Sequence, residues 1–173
     1  MIGNALRESR AMYGLTQKEL GEKFYLSGSM INEVEHNRKK LPKDQRPKVA
    51  REMNDGALYL AIGREATGGP MVSPYLNNVD NHRLVAVLKF QEEVVEALDA
   101  LKDILPILLR ATGPEVLRSG EKGELEEAML EMIESVTAAQ NTLARMAKVY
   151  GISLADLWDK HEAELVQKGY LVK

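Results

Sequence analysis

Apolar residues recur every three or four positions along most of the chain, which is the spacing that places them on one face of an α-helix. The clearest example alternates spacings of four and three over residues 125–150. Its members, called the seam below, are Leu125, Met129, Met132, Val136, Ala139, Leu143, Met146 and Tyr150. Such a pattern is typical of a coiled coil or helical bundle, and we expect the seam to pair two copies of the chain.

Shorter helices are predicted near the amino terminus. Apolar spacing predicts a helix over residues 2–13. Thr16 and Glu19 have the spacing of a capping box, in which each side chain bonds to the backbone N–H of the other residue, and they predict the start of a second helix. Ser27 is a good N-cap for a third helix, from residue 28 to about residue 36. Two short helices joined by a three-residue turn fit a helix-turn-helix.

The third helix is expected to end at Asn37, because asparagine tolerates the left-handed conformation that follows many helices. Asp44 is expected to cap a fourth helix, with Pro47 in the first turn, where a missing N–H does little harm. Residues 57–66 predict a fifth helix. Residues 67–81 contain two Gly, two Pro and three Asn with little periodicity, which predicts a linker.

Helical periodicity returns after this linker. Residues 84–105 carry apolar side chains at helical spacing, namely Leu84, Leu88, Val95, Leu98, Leu101 and Leu105. Pro106 is expected to kink or end this helix, because proline has no N–H to bond the carbonyl of Lys102. Beyond the seam, Ser153 and Asp156 predict the capped start of a last helix.

No segment predicts a β-strand, so the sequence predicts an all-α protein. We expect a helix-turn-helix domain over residues 1–66, the linker over residues 67–81, and a bundle or coiled-coil-like dimerisation domain over residues 82–173. A chain of 173 residues, 45% hydrophobic and 28% charged, has the composition of a soluble globular protein.

Composition also restricts the chemistry. There are no cysteines, which excludes disulfides and thiolate metal sites and suits a reducing cytoplasm. The three histidines, His36, His82 and His161, are scattered and suggest no metal site. The sequence has no run of the roughly 20 apolar residues needed to cross a membrane, and its first residues lack a signal-peptide layout. We therefore expect a cytoplasmic protein without a cofactor, a bound metal or a membrane contact.

The net charge of −3 conceals an uneven distribution. Residues 1–54 contain 11 basic and 7 acidic side chains, whereas the remainder contains 12 basic and 19 acidic ones. A basic amino-terminal piece on an acidic body indicates that only the first piece contacts a polyanion.

The stretch "LRESRAMYGLTQKELGEKFYLSGSMINEVEHNRKKLP" carries a family resemblance. It has "LTQ" at residues 15–17, "EL" at 19–20, a turn at 25–27, and the "xxIxxxE" pattern through Ile31 and Glu35. With these features, residues 2–54 resemble the Cro/repressor (Xre-type) helix-turn-helix domain. The resemblance implies a sequence-specific, DNA-binding transcriptional regulator, repressor-like and of bacterial or prophage origin. Such domains act as dimers on paired half-sites.

Roles follow from this resemblance position by position. The third helix would lie in the major groove, with base-facing residues Ser27, Gly28, Ser29, Asn32 and Glu33. The residues expected along the phosphate backbone are Gln17, Arg38, Lys39, Lys40 and Lys43. The family pattern also implies a structural ion pair between Arg10 and Glu35 inside the domain. Gly28 and Asn37 depart from the pattern, since many relatives have a long polar side chain at the first position and glycine at the second.

An alternative function concerns acidic side chains in the predicted dimerisation domain. Two helices carry carboxylates at helical spacing: Glu92, Glu93, Glu96 and Asp99 on one, and Glu124, Glu127, Glu131 and Glu134 on the other. Carboxylates spaced in this way on facing helices can hold Mg²⁺. The tail "LARMAKVYGISLADLWDKHEAELVQKGY" is similar to the end of MazG-type all-α nucleotide pyrophosphohydrolases, although Ala138 stands near the position of that pattern's later Asp.

The sequence thus leaves two functions open. The preferred one is a DNA-binding regulator without catalytic residues, paired through its carboxyl-terminal helices and open to an unidentified effector or protein partner. The alternative is a DNA-tethered, Mg²⁺-dependent nucleotide pyrophosphohydrolase, or a nucleotide-sensing relative of one.

Overall fold

The computed structural model describes residues 1–80 and 82–172. Over these residues the regular structure consists of eight α-helices and one short 3₁₀ turn, Pro114–Val116, with no strand, so the predicted all-α class is confirmed. The helices are α1 (Ile2–Met12), α2 (Gln17–Lys23), α3 (Gly28–Glu35), α4 (Arg46–Met53), α5 (Gly56–Thr67), α6 (Arg83–Arg110), α7 (Glu121–Tyr150) and α8 (Leu154–Gln167). The predicted linker and dimerisation domain end at Asn81 and Lys173, which lie outside the described residues.

The chain divides into two compact units. The first unit comprises Met1–Leu76 and Leu143–Lys173, and the second comprises Asn77–Thr142. In this division the end of α7 and all of α8 belong to the same unit as α1 to α5, whereas the predicted domains place them after the linker. None of the described helices is both long and apolar enough to span a bilayer.

The first unit is built around one apolar core. Its buried side chains come from α1 to α5 and the segments between them, and include Ile2, Leu6, Leu20, Phe24, Ile31, Val34, Leu41, Val49, Met53 and Leu58. Local signals start most of these helices as predicted. The capping box of Thr16 and Glu19 is present, and Ser27 Oγ accepts from the backbone N–H of Met30. Asn37 has the predicted left-handed backbone, with φ 55°.

The expected cap of α4 is absent. Gln45, not Asp44, occupies the N-cap, and its side chain makes no capping bond. This turn is held by Arg46, which donates to the carbonyl of Leu41 at 3.0 Å and to Glu65 at 2.9 Å. The guanidinium fastens the segment before α4, but as a donor it does not replace the missing side-chain acceptor at the N-cap.

Asn54 links the two chain segments of the first unit. Its side-chain amide donates to the carbonyl of Ile152 and its oxygen accepts from the backbone N–H of Leu154, both at 2.9 Å. Nearby, a Cβ added to Gly56 would lie 2.2 Å from the Cβ of Ala144. The two hydrogen bonds of Asn54 join residues 98 and 100 positions apart in sequence.

In the second unit α6 and the first part of α7 run antiparallel. The hydroxyl of Thr142 donates to the carbonyl of Ala86 at 3.0 Å, and Arg110 pairs with Glu121 at the other end of the two helices. Their common core is small, with Ile104, Ile107 and Ala128 buried.

The sequence prediction for Pro106 is wrong about the end of α6. The helix continues to Arg110 with Pro106 inside it. Proline removes the hydrogen bond to the carbonyl of Lys102, but Ile104 and Ile107 on either side remain buried against Ala128. Packing therefore carries the helix past the lost bond.

The close approach of α2 and the following turn provides a test of the fold. A Cβ on Gly21 would lie 2.5 Å from the carbonyl oxygen of Leu26, a backbone atom. We expect Gly21→Ala to lower the free energy of unfolding by about 1–3 kcal/mol, the usual effect of overpacking. Gly123→Ala in α7 is the matched control, since its Cβ would meet nothing within 4 Å. Urea unfolding of both variants measures the difference, and equal stability would contradict this packing.

Candidate nucleic-acid interface

The helix pair α2 and α3 is joined by a sharp turn at residues 24–27. Tyr25 in this turn has a left-handed backbone, with φ 56°, and its side chain is 94% exposed. Gly28 begins α3 beside α2, where a Cβ would lie 3.1 Å from the Cα of Lys18. The small residue lets α3 start against the first turn of α2, and the departure from the family pattern at Gly28 therefore has a packing reason.

The outward side of α3 carries the residues predicted to face bases. Ser27 and Ser29 are exposed, whereas Gly28, Asn32 and Glu33 are half-buried. The inward side is formed by Ile31 and Val34, each 1% exposed, and by Glu35. The two sides of α3 thus differ in polarity, as expected of a helix that packs on one side and presents polar groups on the other.

Arg10 and Glu35 lie together, as the family pattern implies. The Arg10 guanidinium donates to both carboxylate oxygens of Glu35, at 2.6 Å and 3.0 Å, and also to the carbonyl of Leu15 at 2.7 Å. The Glu35 side chain is fully buried, and its hydrogen bond raises the pKa of Arg10 above its ordinary value. This pair fastens α1 to α3.

The buried pair continues outward through Gln17. Its amide donates to Glu35 at 2.8 Å, while its oxygen accepts from the Asn32 side-chain amide at 3.1 Å. Gln17 is therefore half-buried between α2 and α3, and its predicted phosphate contact remains a prediction. Sequence reasoning missed this bridge, because no local pattern links residues 15 positions apart.

Asn32 is also held from its other side. Arg38 donates to the Asn32 oxygen at 2.8 Å and to Glu33 at 2.8 Å and 3.0 Å. The hydrogen bond from Arg38 holds the pKa of Glu33 below its ordinary value. Asn32 and Glu33, predicted to face bases, thus form one hydrogen-bonded group with Arg38, predicted to face phosphate, at the end of α3.

The other basic side chains after α3 are open to solvent. Lys39 and Lys43 are exposed and have no ion-pair partner among the described residues. Lys40 contacts Glu65 at 3.2 Å, but its side chain remains 79% exposed. Four predicted phosphate-facing residues with exposed side chains therefore follow α3 directly: Arg38, Lys39, Lys40 and Lys43.

The seam lies on α7 but is not the face that α7 buries within the chain. The buried positions of this helix are mainly small, including Ala128, Ala144 and Ala147. Six seam side chains are exposed: Met129 59%, Met132 43%, Val136 48%, Leu143 44%, Met146 37% and Tyr150 57%. The other two, Leu125 and Ala139, are half-buried.

The apolar row predicted on α6 shows the same property. Its exposed members are Leu84 59%, Leu88 63%, Val95 56%, Leu98 51% and Leu105 52%. Only Leu101 of that row packs against the small core of the second unit. Two long helices therefore leave apolar residues at helical spacing in contact with water.

Acidic side chains of the second unit meet between α6 and α7. Glu93, Glu131 and Glu134 each place a carboxylate oxygen within 4.8 Å of the others. Burial raises the pKa of Glu131, and the neighbouring charges of Glu134, Glu96 and Glu93 raise it further. The sequence shows both helical patterns but cannot show which carboxylates face each other.

Comparison of the chain with protein-family models, with curated proteins and with solved structures gives no match.

Proposed function

We propose that the protein is a sequence-specific DNA-binding transcriptional regulator that acts as a dimer, with α3 in the major groove. The main support is that α3 presents polar side chains outward and is followed at once by four exposed basic side chains within residues 38–43. A helix of this kind can contact base edges, while the adjacent cations contact phosphates.

Asn32 is suited to reading a base. Its amide uses one donor on Gln17 and its oxygen one lone pair on Arg38, so each group keeps one further hydrogen-bonding position. One free donor beside one free acceptor matches the N7 and N6 edge of adenine. Because both neighbours fix the amide, little side-chain entropy is lost on binding. Ser27 and Ser29 supply hydroxyl groups on the same outward side.

Electrostatics supports a backbone contact next to α3. Lys39 and Lys43 are exposed and Lys40 is mostly exposed, so phosphates can approach all three ammonium groups. Arg38 differs, since it is shared between Glu33 and Asn32. We propose that Arg38 chiefly positions Asn32, and that the three lysines provide most of the salt-dependent affinity.

Pairing is supported by the exposed seam and by the apolar row on α6. A monomer rarely leaves large apolar patches in water, and a second copy could cover the exposed side chains of the seam. The small core of the second unit supports the same conclusion, because few apolar side chains are buried within that unit. A dimer would also present two α3 helices to paired half-sites.

Two kinds of substitution test the DNA face. Replacing Lys39 and Lys40 together by glutamine should weaken binding about equally for all sequences and reduce the slope of log affinity against log salt by about 2. Replacing Ser29 or Asn32 by alanine should instead change which sequence is preferred, with about 1–3 kcal/mol lost at the contacted base pair. Binding titrations on specific and random DNA at several salt concentrations distinguish the two effects.

Lys168→Gln is the control for the lysine pair, because Lys168 is an exposed cation far along the sequence in the carboxyl-terminal segment. It should leave the salt slope unchanged. Parent-like affinity and sequence preference in both the lysine and the α3 variants would contradict the assigned DNA face.

A further inference from the structure

Three carboxylates meet between α6 and α7. Glu93 lies on α6, and Glu131 and Glu134 lie one turn apart on α7. Their facing oxygens lie within 4.8 Å of one another, close enough for a single ion to contact all three. Both helix segments belong to the second unit, so the arrangement lies within one compact body.

Glu93 provides an independent indication of a ligand. The residue is only 6% exposed, yet its Oε2 has no hydrogen-bond partner among the described residues. Its other oxygen, Oε1, contacts Lys89 Nζ at 2.9 Å. A buried carboxylate oxygen without a donor is costly, since it has lost water and gained nothing in return. A cation would satisfy this oxygen.

The surrounding charge is also unbalanced. Lys89 is the only cation bonded to Glu93 among the described residues, and its ammonium is shared with Glu92 at 2.9 Å. Glu131 and Glu134 have no ion pair in the described part of the chain. Like charges at this separation repel one another, and a divalent ion between them would reverse that repulsion.

We propose that Glu93, Glu131 and Glu134 form a binding site for a divalent cation of the Mg²⁺ class. Only carboxylate oxygens are offered, and these hard ligands favour Mg²⁺ or Mn²⁺ over metals that prefer nitrogen or sulfur. Because Glu134 is exposed, water would complete the coordination on that side. The cation would join α6 to α7 across a core with few buried apolar side chains. This site departs from our preferred sequence interpretation, which expected no metal, and narrows the alternative, which placed Mg²⁺ among eight acidic residues of these two helices, to three of them.

The test uses the full-length protein and Mn²⁺ as a spectroscopic probe. Free Mn²⁺ is measured by electron paramagnetic resonance during a titration in a chelator-free buffer. We expect one saturable site per chain, from which excess Mg²⁺ displaces Mn²⁺. Glu93→Gln and Glu134→Gln should each weaken binding by about tenfold or more, because each removes a charged ligand. Because Glu134 is exposed, Glu134→Gln should fold normally, and it tests the site even if Glu93→Gln misfolds.

Glu92→Gln is the matched control. It removes the same charge at the adjacent position, but Glu92 is exposed and is not one of the three facing carboxylates. We expect parent-like Mn²⁺ affinity for this variant. Thermal unfolding gives a second readout, in which Mg²⁺ raises the Tm of the parent and of Glu92→Gln but not that of Glu93→Gln.

Three results would overturn the proposal. They are the absence of saturable Mn²⁺ binding by the parent, parent-like binding by both Glu93→Gln and Glu134→Gln, and an equal loss in Glu92→Gln, which would indicate diffuse charge attraction. DNA binding is measured separately in a chelator, so failure of the cation site leaves the proposed regulator function untouched.

Discussion

Replacing Val136 by glutamate is expected to convert a dimer into monomers and to lower the affinity for a paired DNA site by roughly 10²- to 10⁴-fold. Val136 is 48% exposed in the single chain, so the new carboxylate would remain hydrated in a monomer. In a dimer joined through the seam it would be buried without a partner, which is strongly unfavourable. Loss of pairing separates the two half-site contacts, and the second contact then no longer benefits from a high effective concentration.

Sedimentation and DNA titration of the full chain measure both consequences. Val136→Leu serves as the control, because it keeps the seam apolar and should leave mass and affinity close to those of the parent. Circular dichroism checks that the glutamate variant keeps its helices. A Val136→Glu protein that remains dimeric would show that the seam is not the pairing surface.

Removal of Arg10 is expected to have the second large effect. Arg10→Ala leaves the fully buried Glu35 carboxylate with only the Gln17 amide, and we expect a loss of about 3–5 kcal/mol in the free energy of unfolding. Glu35→Ala should cost less, because Arg10 is partly exposed and keeps its bond to the carbonyl of Leu15. The double variant should cost less than the sum of the single ones.

Urea unfolding of the parent, the two single variants and the double variant completes this cycle. Gln17 adds a second readout, since it hydrogen-bonds both Glu35 and Asn32 and so links the buried pair to a predicted base-facing residue. Glu35→Ala should therefore also alter base preference at the position read by Asn32. Strictly additive stabilities, together with unchanged base preference, would argue against the coupling drawn from the structure.

Local signals in the sequence were sufficient for most helices of the first unit. Thr16 with Glu19, Ser27 and Asn37 act on their immediate backbone neighbours, so their effect can be predicted without knowing the fold. The predicted cap at Asp44 was wrong, since α4 begins one residue later with Gln45 at the N-cap, while Arg46 bonds back to the carbonyl of Leu41. Such a side-chain bond depends on packing around the turn.

Long-range features were beyond sequence reasoning. Asn54 bonds the backbone of Ile152 and Leu154 across about 100 residues, and no periodicity in either segment predicts that contact. The continuation of α6 through Pro106 likewise depends on burial of the neighbouring isoleucines against α7. In both cases tertiary contacts decide what the local pattern leaves undetermined.

The candidate sites could be predicted only in part from the sequence. Helical spacing placed the seam on one side of α7, but exposure in the single chain is known only from the structure. The acidic patterns of both helices were visible in the sequence, whereas the meeting of Glu93 with Glu131 and Glu134 depends on the register of α6 against α7. The bonds that fix Asn32 are a third case, because they join three separate segments.

Selection of bound fragments from random double-stranded DNA by the full-length protein tests the central claim most directly. Our account predicts enrichment of one motif made of two inverted half-sites, with centres about one helical turn, roughly 10 base pairs, or a multiple of it apart. Within each half-site, Asn32→Ala should relax the preference at one position, most readily an adenine. A pool that stays random after repeated rounds, although the protein is folded and dimeric, would contradict the claim that this protein reads DNA sequence.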